Sequence, residues 1–317
     1  MTNFAVCLMG PTAAGKTDVA VELCKRYPFD VVSVDSALVY RGLDIGTAKP
    51  DADVLQRTPH RLIDIRDPEQ RYSAGDFVRD ARREMRAIVE AGRWPLLVGG
   101  TMMYFRALTR GLAKLPQGDF KVRAAIDAEA LALGWPAVHA RLAKADPVAA
   151  KRINPNDSQR IQRALEVFEI SGRSLTDWQR DAAPTRAGGG IEFVKVALQI
   201  PERQLLHKRI EKRLEKMFRG GFVDEVAALM RRPGLTPDLP SMRAVGYRQV
   251  WAHLAGQYSI QEAQYRALVA TRQLAKRQIT WLRSETEIFS CNPLEAACLD
   301  AISRFLDVSQ RINGGSN

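Results

Sequence analysis

The run Gly10-Pro11-Thr12-Ala13-Ala14-Gly15-Lys16-Thr17 constrains this chain more than any other stretch of it. It follows the apolar segment Phe4 to Met9 and precedes the amphipathic segment Thr17 to Leu23. The pattern GxxxxGKT therefore lies between a predicted strand and a predicted helix, the context that makes it a P-loop. Gly10 and Gly15 permit backbone conformations that aim successive amides at an anion, and the helix dipole adds positive potential at the same point. Lys16 supplies a full charge, and the Thr17 hydroxyl can ligate Mg²⁺. The expected ligand is a pyrophosphate group, carried by a nucleoside triphosphate or by another diphosphate ester.

Two more apolar runs, Val31 to Val34 and Pro95 to Val98, read as buried strands. Periodic helical segments follow the first two of the three strands, so βα repetition and a parallel sheet are expected. A fourth strand, Phe193 to Ile200, comes far downstream, and the intervening residues carry helical patterns without a convincing strand. There Ile161, Leu165 and Phe168 share one helix face, and Gly172 fits a helix stop. The expected fold is α/β: a P-loop NTPase-like parallel sheet core in residues 1–113, an inserted helical domain in 114–184, and a core continuation in 185–317. That continuation holds the return strand and a helical C-terminal region. The small, Gly-rich segment Ala182 to Gly190 reads as a return linker, and Asn313 to Asn317 as a frayed tail.

A formal net charge of +11 exceeds what solubility requires and favours a polyanionic partner, without separating RNA, DNA and acidic lipid. No uninterrupted apolar run reaches the ~18 residues needed to cross a bilayer as a helix, and the N-terminus lacks a basic n-region and a cleavage site. A soluble, cytoplasmic protein with no membrane partner is expected. Cysteines at 7, 24, 291 and 298 lack the spacing of a zinc knuckle or redox pair, and His60, His139, His207 and His253 do not cluster.

Around the P-loop, three features suggest chemistry. Asp35 closes the second strand, on the same sheet edge as the P-loop, where a carboxylate holds magnesium, acts as a base or merely orders a loop. Residues Tyr40 to Pro50 form a polar, glycine-punctuated loop after it. The third strand runs into Gly99-Gly100-Thr101, where an ordinary P-loop ATPase carries an acidic residue. Asp64 in Leu62-Ile63-Asp64-Ile65 is an alternative acidic group. Arg209 and Arg213, four apart, present two guanidiniums to phosphate or to solvent. If Thr271 to Arg283 is helical, Arg272, Lys276 and Arg283 fall within about 40° of one another, and with Arg277 they suit a phosphate backbone.

The ordered series GPTAAGKT (10–17), DSALVYRGLDIGTAKP (35–50), HRLIDI (60–65), GGTMMYF (99–105), NDSQRIQRALEVFEISGRS (156–174), AVGYRQ (244–249) and AKRQITWLR (275–283) resembles the tRNA dimethylallyltransferases, the isopentenyl-tRNA transferase family. The resemblance runs from Val6 to about Arg283. It departs at Leu38, where many members carry Gln, and at Met102-Met103, where many carry Gly-Leu. It implies transfer of a dimethylallyl group from dimethylallyl diphosphate to N6 of adenosine 37 of tRNA, with Mg²⁺ and with release of diphosphate. The P-loop then holds the leaving group.

By the same resemblance Asp35 and Thr101 are catalytic: Asp35 binds or deprotonates the adenine amino group, and Thr101 hydrogen-bonds the leaving oxygen. The insertion is implied to bind the anticodon stem-loop. Implied tRNA contacts are Asp35, Ser36, Ala37 and Leu38 with Thr101 at the target base, and Arg123, Gln159, Arg160, Ile161, Gln162 and Arg163 in the insertion. Beyond it they are Pro240, Ser241, Met242, Arg243, Ala244 and Val245, then Gln273, Leu274, Ala275, Lys276, Arg277, Gln278, Ile279 and Thr280. A monomer is expected. The rivals are a P-loop small-molecule kinase or ATP-dependent RNA enzyme, which would turn over nucleotide without prenyl transfer, and a GTPase-like RNA-binding switch, for which no guanine-reading motif is recognisable.

Overall fold

Six strands, all parallel, form one sheet in the order β3-β2-β4-β1-β5-β6. They are β1 (Phe4–Met9), β2 (Phe29–Val34), β3 (His60–Arg61), β4 (Trp94–Gly99), β5 (Glu192–Leu198) and β6 (Ile288–Cys291). The structure, a computed structural model, describes residues 4–181 and 191–314. It divides into two units, residues 1–109 with 188–317, and residues 110–187.

In the sheet-bearing unit the early helices are α1 (Lys16–Arg26), α2 (Ala52–Arg57), α3 (Ala74–Glu90) and α4 (Met102–Arg110). The second unit holds α5 (Phe120–Leu133), α6 (Trp135–Ala145), α7 (Pro147–Arg152), α8 (Ser158–Ser171) and α9 (Leu175–Asp181), and no strand among the described residues. After β5 come α10 (Arg203–Arg219), α11 (Phe222–Met230), α12 (Tyr247–Leu254), α13 (Ile260–Arg283) and, beyond β6, α14 (Cys298–Gly314).

The apolar runs are strands because both faces of the sheet are covered, so alternate side chains both find a core. Phe4, Val6 and Leu8 pack with Ala20 and Leu23 of α1 and with Ile302 and Leu306 of α14. Ala5, Cys7 and Met9 point the other way, into a cluster with Phe77 and Met85 of α3 and Tyr104 and Phe105 of α4. Helix ends follow local chemistry. Ser73 and Asp76 cap α3 reciprocally, Asp157 accepts from the Arg160 amide at the start of α8, and Gly172 ends α8 in the left-handed conformation its sequence anticipates.

Two strands depart from the sequence reading. β3 and β6 are two and four residues long and lie at the sheet edges. Neither carries an apolar run long enough to register as a strand, because an edge position needs only one partner. β5 also ends at Leu198, earlier than Ile200. The segment Ala182 to Gly190 lies outside the described residues, as does 315–317 of the tail. All four cysteines are free, and among the described residues no helix is long and apolar enough to cross a membrane.

Candidate active site

Three neighbouring strands, β2, β4 and β1, deliver Asp35, the Gly99-Gly100-Thr101 turn and the P-loop to one edge of the sheet. Their C-terminal ends are in register: Val34 stands opposite Gly99, and Gly99 opposite Met9. A Cβ placed on Gly99 would lie 2.0 Å from the Val34 carbonyl oxygen, so only glycine lets β4 leave the sheet across the end of β2. That close crossing carries Thr101 onto the Asp35 loop. The Thr101 amide donates to Val34 O (3.2 Å), and its hydroxyl accepts from the Ser36 amide (3.1 Å).

Asp35 begins a turn of its own. Its Oδ1 accepts from the amides of Ala37 (2.8 Å) and Leu38 (3.3 Å), which orders the loop. The Asp35 carboxylate thus orders the chain and also places a negative charge at the site, where it acts on both Lys16 and Arg213.

In the P-loop, Ala13 (φ 62°) and Gly15 (φ 93°) adopt left-handed conformations, and α1 starts at Lys16. Gly15 precedes the helix without a side-chain cap, so the amides of the first turn are left to a ligand. The Lys16 ammonium donates to the loop's own carbonyls at Gly10 (3.0 Å) and Pro11 (2.8 Å). Burial pushes its pKa down to about 8, the Arg213 charge adds to that, and Asp35 opposes it.

Arg209 and Arg213, left by the sequence between phosphate and solvent, both lie on helix α10 and bond backbone carbonyls. Arg209 Nε donates to Ala13 O in the P-loop (2.9 Å), and Arg213 donates to Thr47 O in the loop after Asp35 (2.8 Å). Burial lowers the pKa of Arg213, with Asp35 raising it. Arg209 and the Lys16 ammonium therefore bond carbonyls of the P-loop itself, and the Arg213 charge acts on Lys16 from the neighbouring loop.

The Tyr40 to Pro50 loop is anchored by a residue the sequence reading missed. Glu225 of α11 accepts from the successive amides of Asp44 (3.1 Å), Ile45 (2.6 Å) and Gly46 (3.2 Å), and from the Tyr247 hydroxyl. Nothing in the local pattern Phe222-Val223-Asp224-Glu225 marks it, because its partners, three backbone amides and the Tyr247 hydroxyl, lie elsewhere in the chain. The alternative acidic residue Asp64 is paired with Lys49, which also pairs with Asp44.

The residues nominated as RNA contacts divide by exposure. On α13, Gln273, Lys276, Arg277 and Thr280 are exposed, Leu274 and Ile279 are half-buried, and Ala275 and Gln278 are buried. Gln278 is turned inward to the P-loop and away from solvent. Arg272 pairs with Glu211 of α10 (3.6 Å), so the basic face read from one helix in isolation loses a member to its neighbour. In the loop before α12, Pro240 and Arg243 are exposed and Ala244 and Val245 half-buried. Met242 is buried, as is Ser241, whose hydroxyl donates to Pro68 O (2.6 Å). Ser241, Met242, Ala275 and Gln278 therefore offer RNA no side chain.

In the helical unit, Gln159 and Arg160 are exposed and Gln162 is half-buried, its amide donating to Asp127 (2.6 Å). Ile161 is fully buried in that unit's own core and is no RNA contact by its side chain. Arg123 and Arg163 converge on the buried Glu166: Arg123 reaches its two oxygens at 2.7 and 3.1 Å, and Arg163 approaches to 2.6 Å. The Asp119 amide also donates to Glu166 (2.9 Å). Arg160 and Arg163, three apart, thus do different work.

The IPP transferase family model matches residues 38–285. A full-length tRNA isopentenylpyrophosphate transferase from Bacillus halodurans is 33% identical with a TM-score of 0.73, covering 99% of this chain and 98% of that one. A tRNA delta(2)-isopentenylpyrophosphate transferase from Staphylococcus epidermidis is 29% identical with a TM-score of 0.69, covering 96% of this chain and 99% of that one. A eukaryotic dimethylallyltransferase acting on tRNA shares the fold at 21% identity and a TM-score of 0.79, covering 99% of this chain and 80% of that one. The phosphate loop, the facing carboxylate and a family match spanning most of the chain agree: this protein belongs to the IPP transferase family.

Proposed function

We propose that the protein transfers a dimethylallyl group from dimethylallyl diphosphate to N6 of the adenosine at position 37 of tRNA, beside the anticodon, releasing diphosphate. Family membership makes it a tRNA prenyltransferase. The observation that carries the finer reading is the meeting, on one sheet edge, of a cation-ringed phosphate loop with the Asp35 carboxylate and the Thr101 hydroxyl. That set suits departure of an anion from one side and delivery of an amine from the other.

In this scheme the P-loop amides, Lys16 and Arg209 hold the diphosphate, and their charge stabilises the negative charge that grows as the allylic carbon–oxygen bond breaks. Thr101 accepts from the Ser36 amide (3.1 Å), and its hydroxyl hydrogen, which makes a long bond to Ser36 Oγ (3.4 Å), turns to the leaving oxygen when diphosphate is bound. Asp35 Oδ1 is committed to its turn, and Oδ2 accepts or removes the N6 proton as the nitrogen bonds to the allylic carbon. Thr17, in the first turn of α1, has a hydroxyl suited to Mg²⁺, and no group of three or more His, Cys, Asp or Glu forms a cage for a metal among the described residues. This fits an ion held largely by substrate oxygens and water, where it would neutralise charge on the diphosphate.

To reach the adenine the enzyme must take it out of the stacked anticodon loop. The exposed basic residues of α13, together with Gln159 and Arg160 of the helical unit, are our choice for the phosphate and loop contacts. The protein acts as a monomer in the cytoplasm.

The test is incubation of purified protein with an anticodon stem-loop, dimethylallyl diphosphate and Mg²⁺, without ATP. The RNA is expected to gain the mass of one dimethylallyl group. No transfer, together with rapid ATP hydrolysis in the absence of RNA, would establish the kinase-like rival instead.

A pH effect follows from Lys16. Its proton is lost near pH 8 in the free protein, whereas bound diphosphate favours the charged form. Pyrophosphate affinity is therefore expected to fall as pH rises above 8, by up to about tenfold per unit. Calorimetric titrations from pH 7 to 9.5, corrected for the ionisation of pyrophosphate itself, measure this, and an affinity flat across that range would show that Lys16 keeps its proton throughout it.

A further inference from the structure

Gln278 lies on α13 among residues that face RNA in the reading above, yet its side chain is only 8% exposed. Its amide is used at both ends. Oε1 accepts from the Thr12 amide in the P-loop (2.9 Å), and Nε2 donates to Gly100 O in the Gly-Gly-Thr turn (2.8 Å). One orientation alone satisfies both partners. Turning the amide over would set NH₂ against N–H and oxygen against oxygen. The bridge is correspondingly tight, since a Cβ on Gly100 would lie 2.5 Å from Nε2.

The two bridged points belong to different halves of the reaction. Thr12 is part of the loop that grips diphosphate, and Gly100 immediately precedes Thr101. β1 and β4 pair up to Met9 and Gly99, but beyond those residues no strand hydrogen bonds hold the two ends in register. We propose that Gln278 is a positioning residue. It fixes the diphosphate loop relative to Thr101 and thereby sets the reacting carbon against the adenine nitrogen.

This inference rests on the site assigned under the proposed function and goes beyond it, because it assigns Gln278 to geometry and not to RNA contact. Small displacements matter at such a site. A misplacement of about 1 Å can cost about a hundredfold in rate.

Three variants test it in the full-length protein. Gln278→Leu keeps the approximate volume and removes both hydrogen bonds. Gln278→Glu keeps an acceptor for Thr12 but turns a carboxylate oxygen on Gly100 O. Gly100→Ala displaces the same amide from the other side. Each is expected to lower kcat per folded molecule by about 10- to 100-fold while the KM for the anticodon stem-loop stays within twofold. Amide exchange at Thr12 is expected to quicken at least about tenfold in Gln278→Leu.

A raised stem-loop KM with kcat preserved would make Gln278 an RNA contact and overturn the proposal. So would a lowered melting temperature with unchanged kcat, which is the signature of packing alone. If Gln278→Leu does not fold, Gly100→Ala decides by the same split of kcat from KM. If the wild-type protein transfers no prenyl group, the functional reading fails by itself. Thr12 exchange and pyrophosphate affinity in the variants then still decide whether the bridge sets the loop, and wild-type values in both would overturn it.

Discussion

Asp35→Asn is expected to reduce turnover by about 10²- to 10⁴-fold while the anticodon stem-loop binds within a few-fold of the wild-type affinity. Asparagine is the informative replacement because the structure gives Asp35 two separable duties. Its Oδ1 accepts from Ala37 and Leu38, a task an amide oxygen performs equally well, whereas accepting a proton requires the carboxylate. Asp35→Ala removes both and should add a looser Ser36 to Leu38 segment to the same loss. The charge also acts on Lys16 and Arg213, so its removal takes a repulsive group from beside the phosphate site. Pyrophosphate should bind Asp35→Asn at least as tightly as it binds the wild type. Steady-state kinetics with calorimetry measure both quantities, and a variant with full turnover would reduce Asp35 to a turn-forming residue.

The largest stability effect is expected at Glu166. Replacement by Ala removes the shared acceptor of the Arg123 and Arg163 guanidiniums and of the Asp119 amide; because both arginine side chains are about one-third exposed and water takes over part of the loss, the cost is about 2–3 kcal/mol. Denaturant unfolding of the full chain, followed by far-UV circular dichroism, measures it. A loss below about 1 kcal/mol would mean the guanidiniums turn out to solvent at little cost. Burial by itself would raise the Glu166 pKa, but the hydrogen bonds and charges of Arg123 and Arg163 outweigh it and the net direction is down. A lowered carboxyl pKa contributes stability that is fully present above the unfolded value of 4.5 and is lost as pH falls through the folded one. The helical unit should therefore be acid-sensitive below the ordinary carboxylate range in the wild type and lose that sensitivity in Glu166→Ala.

Much of this was legible in the sequence where one segment carries its own signal. The strands β1, β2, β4 and β5 are continuous apolar runs because they are covered on both faces, and the P-loop announces itself by spacing. Asp35 stands out because it closes such a run, and Thr101 is nominated by the family resemblance. Elsewhere the decisive partner lies far along the chain. Arg209 and Arg213 read as either phosphate ligands or solvated charges until α10 was placed against Ala13 and Thr47. Arg272 read as a free cation because Glu211 is on another helix. Arg123 and Arg163 are nominated as RNA contacts by the family resemblance, and nothing in either local pattern shows that they share one buried carboxylate. Glu225 lies in no motif, and Gln278 lies in the run 275–283 without that run showing its partners, since both bind backbone groups far away in the chain.

The shortness of β3 and β6 has a consequence for how the molecule behaves at high concentration. An all-parallel sheet ends in two rows of backbone groups, each able to recruit a strand from a neighbouring copy. Here those borders are two and four residues long, and the six-residue strands β2 and β4 and the longest strand, β5, lie inside them. A second copy finds too few consecutive amides and carbonyls to begin a shared sheet, so a chain whose most apolar segments are all strands still presents almost no seed for amyloid-like growth.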